Sequence, residues 1–261
     1  MTIGLIIIGD EILSGKRVDQ HFPKVVQLLA ARGLQLGWAE YLGDDPQRIT
    51  ASLKRTFGGD DIVFSCGGIG ATPDDHTRLA AANALGRRLL LHPEGKANIE
   101  QRILEMGRES GRPADLNTAE NLHRLKMAEF AEGAALIPNP YNKIAGFALG
   151  SHYFVPGFPV MAWPMIEWVL DTHYRHVFNR APRAEQSLLV FEVAESALTP
   201  LMEAIEAQFL LVKVFSLPSV GDATTRRHIE LGVKGEPKQT AGAFAVMCAE
   251  LDRIKAEYRK L

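Results

Sequence analysis

Three glycines and two adjacent carboxylates stand close together in one short string, between an apolar run and a segment of helical composition. The glycines are Gly67, Gly68 and Gly70, and the acids are Asp74 and Asp75. Glycines let the backbone approach a ligand closely and turn its N–H groups outward, which suits an anion such as phosphate. Carboxylates would repel that anion unless a cation intervenes, and a divalent metal ion resolves the conflict. The string therefore predicts a phosphate site that works with a metal ion.

The flanking residues place this string at the edge of a sheet. Apolar residues 62–64 predict a buried strand, and residues 79–85 predict a helix that Gly86 ends. A turn between them lies at the carboxyl end of the strand, where open α/β sheets bind ligands. In a simpler interpretation the glycines only make a tight connection and Asp75 caps the helix, a role that asparagine would fill equally well.

Acidic residues also follow two other predicted strands. The apolar run 3–8 is followed by Asp10 and Glu11, and a strand over residues 34–41 is followed by Asp44. Because loops at one sheet edge can share a crevice, these acids and the glycine-rich turn are expected to form a single site. The predicted ligands of the metal ion are Asp10, Glu11, Asp74 and Asp75.

The next acid, Asp45, has a different prediction. It precedes Pro46, an order that is typical of a helix N-cap followed by proline at the first helical position. No serine lies in a nucleophile-elbow pattern, so the sequence favours metal-assisted phosphoanhydride chemistry over covalent catalysis.

The central string resembles the GGxGPTxDDxT signature of the MoaB/Mog, molybdopterin-binding-like superfamily, and residues 9–13, GDEIL, resemble a second family segment. The resemblance is strongest to the N-terminal region of the CinA-type, competence- and damage-inducible branch. It implies a doubly wound, mostly parallel α/β sheet with a small α+β domain behind it. The implied ligand-binding positions are Gly67, Gly68, Gly70, Thr72, Thr77, Lys126 and Gly157.

The resemblance also implies a function. In Mog-type enzymes the aspartates that match Asp44 and Asp75 serve molybdopterin adenylylation with magnesium, so these two are the expected catalytic residues. The CinA-type branch implies metal-dependent hydrolysis of nucleotide pyrophosphates such as ADP-ribose. The alternatives are a molybdopterin-binding or adenylylating protein and a non-catalytic binding module. A C-terminal amidohydrolase acting on nicotinamide mononucleotide, which CinA proteins often carry, is expected to be absent.

Several positions depart from the family pattern. Ala71 stands where the family usually has proline, Cys66 where it has threonine, and His21 near a usual asparagine; Ala145 replaces the proline of an Ala-Pro-Gly segment. Lys126 matches a family lysine that could contact a phosphate, although a solvated surface lysine would look the same in the sequence.

The remaining elements divide the chain into two predicted domains, residues 1–180 and 184–261, with a boundary at the helix-breaking stretch 179–183. Helical stripes are predicted for Val18, Phe22, Val25, Val26 and Leu29, and for Met165, Trp168, Val169 and Thr172. Beyond the boundary the predicted order is β-α-β-β-α, with a last helix whose stripe extends from Phe244 to Tyr258.

Composition excludes several classes of protein. The chain has 261 residues, a net charge of −2, 46% apolar and 23% charged residues. No basic surface argues for nucleic acid or an anionic membrane, and no apolar run is long enough for a membrane span. Its two cysteines lack a CxxC partner, which favours a reducing cytoplasm. A phosphate-bearing small molecule, a nucleotide diphosphate or a pterin, is the expected partner, and a homo-oligomer the expected assembly.

Overall fold

A computed structural model describes residues 2–111, 113–179, 184–222 and 224–261. Contacts between residues divide the chain into two compact units, Met1–Phe178 and Asn179–Leu261. Most of the predicted boundary stretch, residues 180–183, lies outside the described residues. In the part of the chain that is described, no helix has the length and apolar character needed to cross a membrane.

The first unit is built on a six-stranded sheet in the order β2-β1-β3-β8-β7-β6. Four neighbouring strands, β2, β1, β3 and β8, run parallel, and β7 and β6 continue the sheet antiparallel. Strands β4 and β5 form a separate antiparallel pair. The strands are β1 Ile3–Ile8, β2 Trp38–Leu42, β3 Ile62–Cys66, β4 Leu89–Leu91, β5 Glu129–Ala131, β6 Ala135–Ile137, β7 Gly146–Leu149 and β8 His152–Val155.

Among the described residues, seven α-helices accompany these strands. They are α1 Asp10–Leu13, α2 His21–Ala30, α3 Pro46–Phe57, α4 Thr77–Leu85, α5 Pro93–Glu109, α6 Ala119–Arg124 and α7 Pro159–His173. One apolar cluster packs α2 and α7 against one sheet face, and a second packs α3 and α4 against the other. Every residue of β1 and β3 is buried, as expected for central parallel strands covered on both faces. The predicted doubly wound, mostly parallel sheet is confirmed.

The local end signals around the site are confirmed in part. Asp45 caps α3, since its carboxylate accepts hydrogen bonds from the N–H groups of Gln47 (2.8 Å) and Arg48 (3.1 Å). Gly86 ends α4 in a left-handed conformation with φ of 63°. Asp75 is not the cap of α4, because His76 occupies that position. Within the described residues, the His76 side chain makes no capping hydrogen bond.

Two predicted helical stripes are wrong in part. Helix α2 begins at His21, so Val18 precedes it and is 84% exposed, and Phe22 and Val26 are each 40% exposed. The helix packs through Val25, Leu28 and Leu29 instead. Helix α7 likewise buries Met165, Ile166, Val169 and Leu170, which turns Trp168 and Thr172 outward. The buried face of each helix is therefore narrower than the sequence pattern predicts.

The second unit is a four-stranded antiparallel sheet in the order β10-β11-β9-β12, with two helices. Its elements are β9 Ala184–Phe191, α8 Glu195–Gln208, β10 Val212–Ser219, β11 His228–Gly235, α9 Pro237–Arg253 and β12 Tyr258–Lys260. The predicted final helix is too long, because it ends at Arg253 and Tyr258 pairs with Val190 in an additional strand. The helices share one apolar cluster with the sheet, as predicted for a small α+β unit.

Candidate functional site

A cleft of about 400 Å³ lies where the carboxyl ends of β1, β3 and β8 meet. The glycine-rich turn forms one side of it, Glu11 comes from α1 directly after β1, and Asp44 lies on the loop that follows β2. Strand order reverses at β1, which pairs with both β2 and β3, and open α/β sheets bind ligands at such a switch point. Its lining includes Glu11, Arg17, Asp44, Gly67, Gly68, Ile69, Gly70, Ala71, Thr72, Asp74, Asp75, Met127, Ile144, Ala145, Gly157, Phe158 and Met161.

The carbonyl groups of the glycine-rich turn are held by donors behind it. Thr77 donates its hydroxyl to Gly67 O (3.1 Å) and its N–H to Gly68 O (3.0 Å). Arg78 Nη2 donates to Gly70 O at 2.7 Å. In a trans peptide the C=O of one residue and the N–H of the next point in opposite directions. The N–H groups of Gly68, Ile69 and Ala71 therefore point away from these donors.

These three N–H groups are available for a ligand. Within the described parts of the chain, no acceptor takes a hydrogen bond from the N–H of Gly68, Ile69 or Ala71. The N–H groups of Gly67 and Gly70, by contrast, donate to Val155 O (3.0 Å) and to Asp75 Oδ1 (2.8 Å). The turn thus offers three neighbouring free donors, a group typical of an anion-binding concavity.

Two glycines of the turn cannot be replaced without strain. Gly67 has φ of 110° and Gly68 φ of 67°, conformations that L side chains rarely adopt. A Cβ atom on Gly67 would lie 2.2 Å from Ile8 O, and one on Gly68 2.3 Å from Thr77 Oγ1. Gly67 thus allows the turn to pack on the end of β1, and Gly68 allows it to pack on Thr77 at the start of α4.

Asp75 organises this turn from within. Its Oδ1 accepts the Gly70 N–H, and its Oδ2 accepts the Thr72 N–H (2.8 Å) and the Thr72 hydroxyl (2.5 Å). Three hydrogen bonds to an ionised carboxylate are strong restraints on the loop. Asp75 lines the cleft, but its oxygens are already engaged, which makes it a weaker candidate for metal binding than its neighbours.

The acids that follow β1 and β2 form a second group. Asp10 and Asp44 are linked twice, because each backbone N–H donates to the carboxylate of the other, at 2.9 and 3.2 Å. Burial raises the pKa of Asp44, and the charges of Asp10, Glu11 and Asp74 raise it further, against the effect of the Asp10 N–H. These acids thus lie close enough to interact electrostatically.

The chemistry of this acidic group fits a divalent cation, because carboxylate oxygens are hard ligands and a cation would relieve the repulsion between their negative charges. Glu11, Asp44 and Asp74 line both the cleft and an adjoining recess, where Asp10 and Lys16 join them. Among the described residues, however, no three histidine, cysteine or acidic side chains are already arranged to hold a metal ion. Side-chain rotation would have to complete the coordination.

Two predicted ligand contacts lie away from the cleft. The Thr77 side chain is fully buried and serves the turn by anchoring Gly67, so it shapes the site without lining it. Lys126 is exposed and is not among the lining residues, although its neighbour Met127 is. Gly157 does line the cleft, and a Cβ atom there would be 3.4 Å from the Cα of Gly67.

Sequence reasoning missed Arg17, Arg78 and His123. Arg17 lines the cleft, Arg78 is only 7% exposed, and His123 Nε2 lies 2.5 Å from Ala71 O. The one available signal was the charge of Arg78 in the first turn of a helix that is otherwise apolar on its inner side. His123 had no signal, since it comes from a helix far away in the sequence.

The departures from the family pattern lie at or behind the cleft. Ala71 and Ala145 both line it. His21 is buried behind the Gly157 turn, with its Nε2 3.0 Å from Gly157 O. Cys66, the last residue of β3, is a buried core residue, and this burial raises the pKa of its thiol.

Comparison with known proteins is consistent with the fold. Residues 4–176 match the family described as "Probable molybdopterin binding domain". A "CinA-like protein" of Syntrophotalea carbinolica is 30% identical over 220 residues, covering 80% of this chain and 51% of that protein. A "CinA-like protein" of Geobacter metallireducens is 35% identical over 163 residues, covering 61% and 37%. This chain spans about half the length of the first relative and less of the second.

A solved structure shares the fold. The crystal structure of a CinA protein of unknown function from Thermoplasma acidophilum has a TM-score of 0.55 and 24% identity, and the match covers 66% of this chain and 98% of that one. The likeness concerns architecture.

Proposed function

Because this chain belongs to the family described as "Probable molybdopterin binding domain", we propose that its cleft binds a phosphate-bearing ligand and hydrolyses a phosphoanhydride bond with a divalent cation. The substrate class is a nucleotide pyrophosphate such as ADP-ribose. The observation that carries this proposal is the trio of N–H groups at Gly68, Ile69 and Ala71, which have no acceptor among the described residues and share a cleft with acidic side chains.

The N–H groups of the turn and the acidic side chains have different roles. The N–H groups bind a phosphate and are themselves uncharged, so the empty cleft needs no counter-charge for them. Asp10, Glu11 and Asp74 are the residues that would hold the cation, which when bound would neutralise phosphate charge and polarise phosphoryl oxygens. Arg17 is a basic residue of the lining, and its charge would attract the same phosphate.

Asp44 is the proposed general base. Its raised pKa makes it a better proton acceptor than an ordinary surface aspartate, since a base works best when its pKa approaches the working pH. It accepts a proton from the water whose oxygen attacks phosphorus, and the P–O bond to the departing phosphate breaks. Asp75 keeps the donors of the turn in place during this step.

Adjacent acids supply a matched pair of variants for the test. Purified protein is assayed with ADP-ribose and a panel of divalent cations, as wild type, Asp44→Asn and Asp45→Asn. We expect Asp44→Asn to lose roughly a hundredfold or more in turnover. Asp45→Asn should retain activity, because Asp45 caps α3 and asparagine caps about as well. Equal activity of the two variants would remove Asp44 from the chemistry.

Two other functions are favoured by particular observations. The cleft lining also includes Met127, Ile144, Phe158 and Met161, apolar side chains that suit the flat ring of a pterin as well as a nucleobase. The family description favours molybdopterin for that ring. The substitutions at Ala71 and Ala145 favour a binding module without turnover. Tight binding of ADP-ribose that no cation converts to products would support the binding module.

A further inference from the structure

We propose that the Ala71 N–H is an affinity-determining donor of the phosphate site and that Arg78 is the residue that positions it, through the carbonyl of Gly70. This inference rests on the proposed function, because it concerns how the same turn binds an anion. Nothing in the family resemblance assigns a role to either residue.

Arg78 fixes the orientation of the peptide group between Gly70 and Ala71. Arg78 Nη2 donates to Gly70 O at 2.7 Å, and this carbonyl shares its peptide plane with the Ala71 N–H. A guanidinium fixed on the carbonyl side directs the N–H to the other side. Since Ala71 lines the cleft and its N–H has no acceptor among the described residues, that other side is where a ligand would bind.

Arg78 is itself held rigidly. Its Nη1 donates to the carbonyls of Lys126 and, at 3.3 Å, Glu129, so the guanidinium bridges the turn and the start of β5 with the segment before it. Its Nε is buried and has no partner within the described part of the chain. A side chain with this many fixed contacts gives the Gly70–Ala71 peptide a single orientation.

The charge of Arg78 supports the same role. Among the described residues the guanidinium forms no ion pair, and its hydrogen bonds go to carbonyl groups. Asp75 and Glu129 are the acids whose charges act on it. A buried cation that no carboxylate neutralises by direct contact creates a positive potential behind the turn, which favours an anion in front of it.

Ala71 is the position where the family signature usually has proline, and proline has no N–H. This chain therefore has a donor that the signature itself does not supply. Restoring the signature residue should weaken anion binding in this chain, the reverse of what a consensus substitution is normally expected to do.

The test measures binding of inorganic pyrophosphate at constant Mg²⁺ concentration, by calorimetry and by the shifts of amide N–H resonances. The variants are Ala71→Pro with Ala71→Ser as its control, and Arg78→Met and Arg78→Lys with Arg87→Met as theirs. Ala71→Ser keeps the N–H. Arg87 also donates to a backbone carbonyl, that of Glu132 at 3.0 Å, but it is exposed and outside the cleft lining.

We expect Ala71→Pro and Arg78→Met each to lower the affinity for pyrophosphate by about tenfold or more, the loss typical of one hydrogen bond to a charged group. Arg78→Lys should fall between Arg78→Met and wild type. In wild type the N–H resonances of Gly68, Ile69 and Ala71 should all shift with pyrophosphate. In Arg78→Met the Ala71 shift alone should be lost, because Thr77 anchors the carbonyls that precede the other two.

The outcomes separate this inference from the proposed function. Wild-type protein that binds no pyrophosphate overturns both. Binding by wild type with equal affinity in Ala71→Pro and Ala71→Ser overturns this inference alone. A uniform loss of all three shifts in Arg78→Met would reduce Arg78 to a general structural role. Should Arg78→Met fail to fold, Arg78→Lys and the Ala71 pair decide by the same criteria.

Discussion

Hydrogen bonds give neighbouring acids of this protein different roles. Asp45 is engaged with two backbone N–H groups of its own helix, whereas Asp44 is paired with Asp10 at the cleft. In the same way Asp75 is engaged inside the glycine-rich turn and Asp74 is exposed beside it. Asp44 and Asp74 are therefore the members of these two pairs that can act on a ligand, Asp44 as the proposed base and Asp74 as a proposed ligand of the cation.

A buried histidine makes the stability of the first unit depend on pH. Burial lowers the pKa of His152 from 6.5 to about 4, while its Nε2 contacts Thr56 Oγ1 at 2.9 Å. The neutral form therefore stabilises the fold fully above pH 6.5, and this contribution is lost as the pH falls toward 4. The shift corresponds to about 3 kcal/mol of unfolding free energy.

We expect His152→Gln to flatten the pH dependence of unfolding between pH 6.5 and 4, while lowering stability at neutral pH through lost packing on Phe57. Urea unfolding at a series of pH values measures both effects. The exposed His176 is the control, and His176→Gln should leave the wild-type profile unchanged. A variant at position 152 with the full wild-type slope would assign the acid sensitivity to another group.

The turn between β3 and α4 behaves as one structural element with its own hydrogen-bond network. Asp75 binds it from within, Thr77 and Arg78 hold its carbonyls, and His123 Nε2 lies against Ala71 O. Such a network resists partial changes, because removing one partner leaves another polar group without its bond.

Replacing Asp75 tests this network. The sequence suggests that asparagine would serve as well, since a helix cap tolerates it, but the structure places three N–H or O–H donors on the two oxygens. An asparagine side chain at this position would turn its NH₂ group toward one set of donors. We expect Asp75→Asn to lower the unfolding free energy by about 1–3 kcal/mol and to weaken pyrophosphate binding with it.

Asp74→Asn is the matched control for that experiment. Asp74 is exposed, and hydrogen bonds from Thr72 and from its own backbone lower its pKa. Its variant should therefore lose less stability than Asp75→Asn while binding the cation less well. Thermal unfolding of both variants decides the matter. If Asp75→Asn is as stable as Asp74→Asn, the network does not restrain the turn.

Local sequence patterns predicted the elements around the site, but they could not predict contacts between residues that are far apart in the sequence. Residues 3–8 and 62–64 identified central strands because buried parallel strands are apolar throughout, and Asp45-Pro46 identified the start of α3. The partners of Arg78 and His123 lie up to 52 residues away in sequence, and no local pattern encodes them. The end of α9 at Arg253 and the short strand β12 that follows were equally invisible to helical periodicity.

At the scale of the whole molecule, the chain has separate apolar cores. Among the residues that the structure describes, three buried clusters draw their members from Met1–Phe178 and a fourth from Asn179–Leu261. The cleft is likewise lined by residues of the first unit. Each unit thus has the buried surface that an independent fold requires.

We expect a protein of residues 1–178 to unfold cooperatively and to bind pyrophosphate with the affinity of the full chain. Circular dichroism during thermal unfolding and calorimetric titration measure the two properties. A shortened protein without a cooperative transition would show that the first unit needs the remaining residues to fold.

A crystal structure of Asp44→Asn with ADP-ribose and Mg²⁺ would show whether the glycine-rich turn binds the phosphates, because this variant should bind the substrate without consuming it. We expect phosphate oxygens within about 3 Å of the backbone nitrogens of Gly68, Ile69 and Ala71. We also expect the cation beside Asp10, Glu11 and Asp74. Phosphates located elsewhere in the cleft, with these three N–H groups facing only solvent, would contradict it.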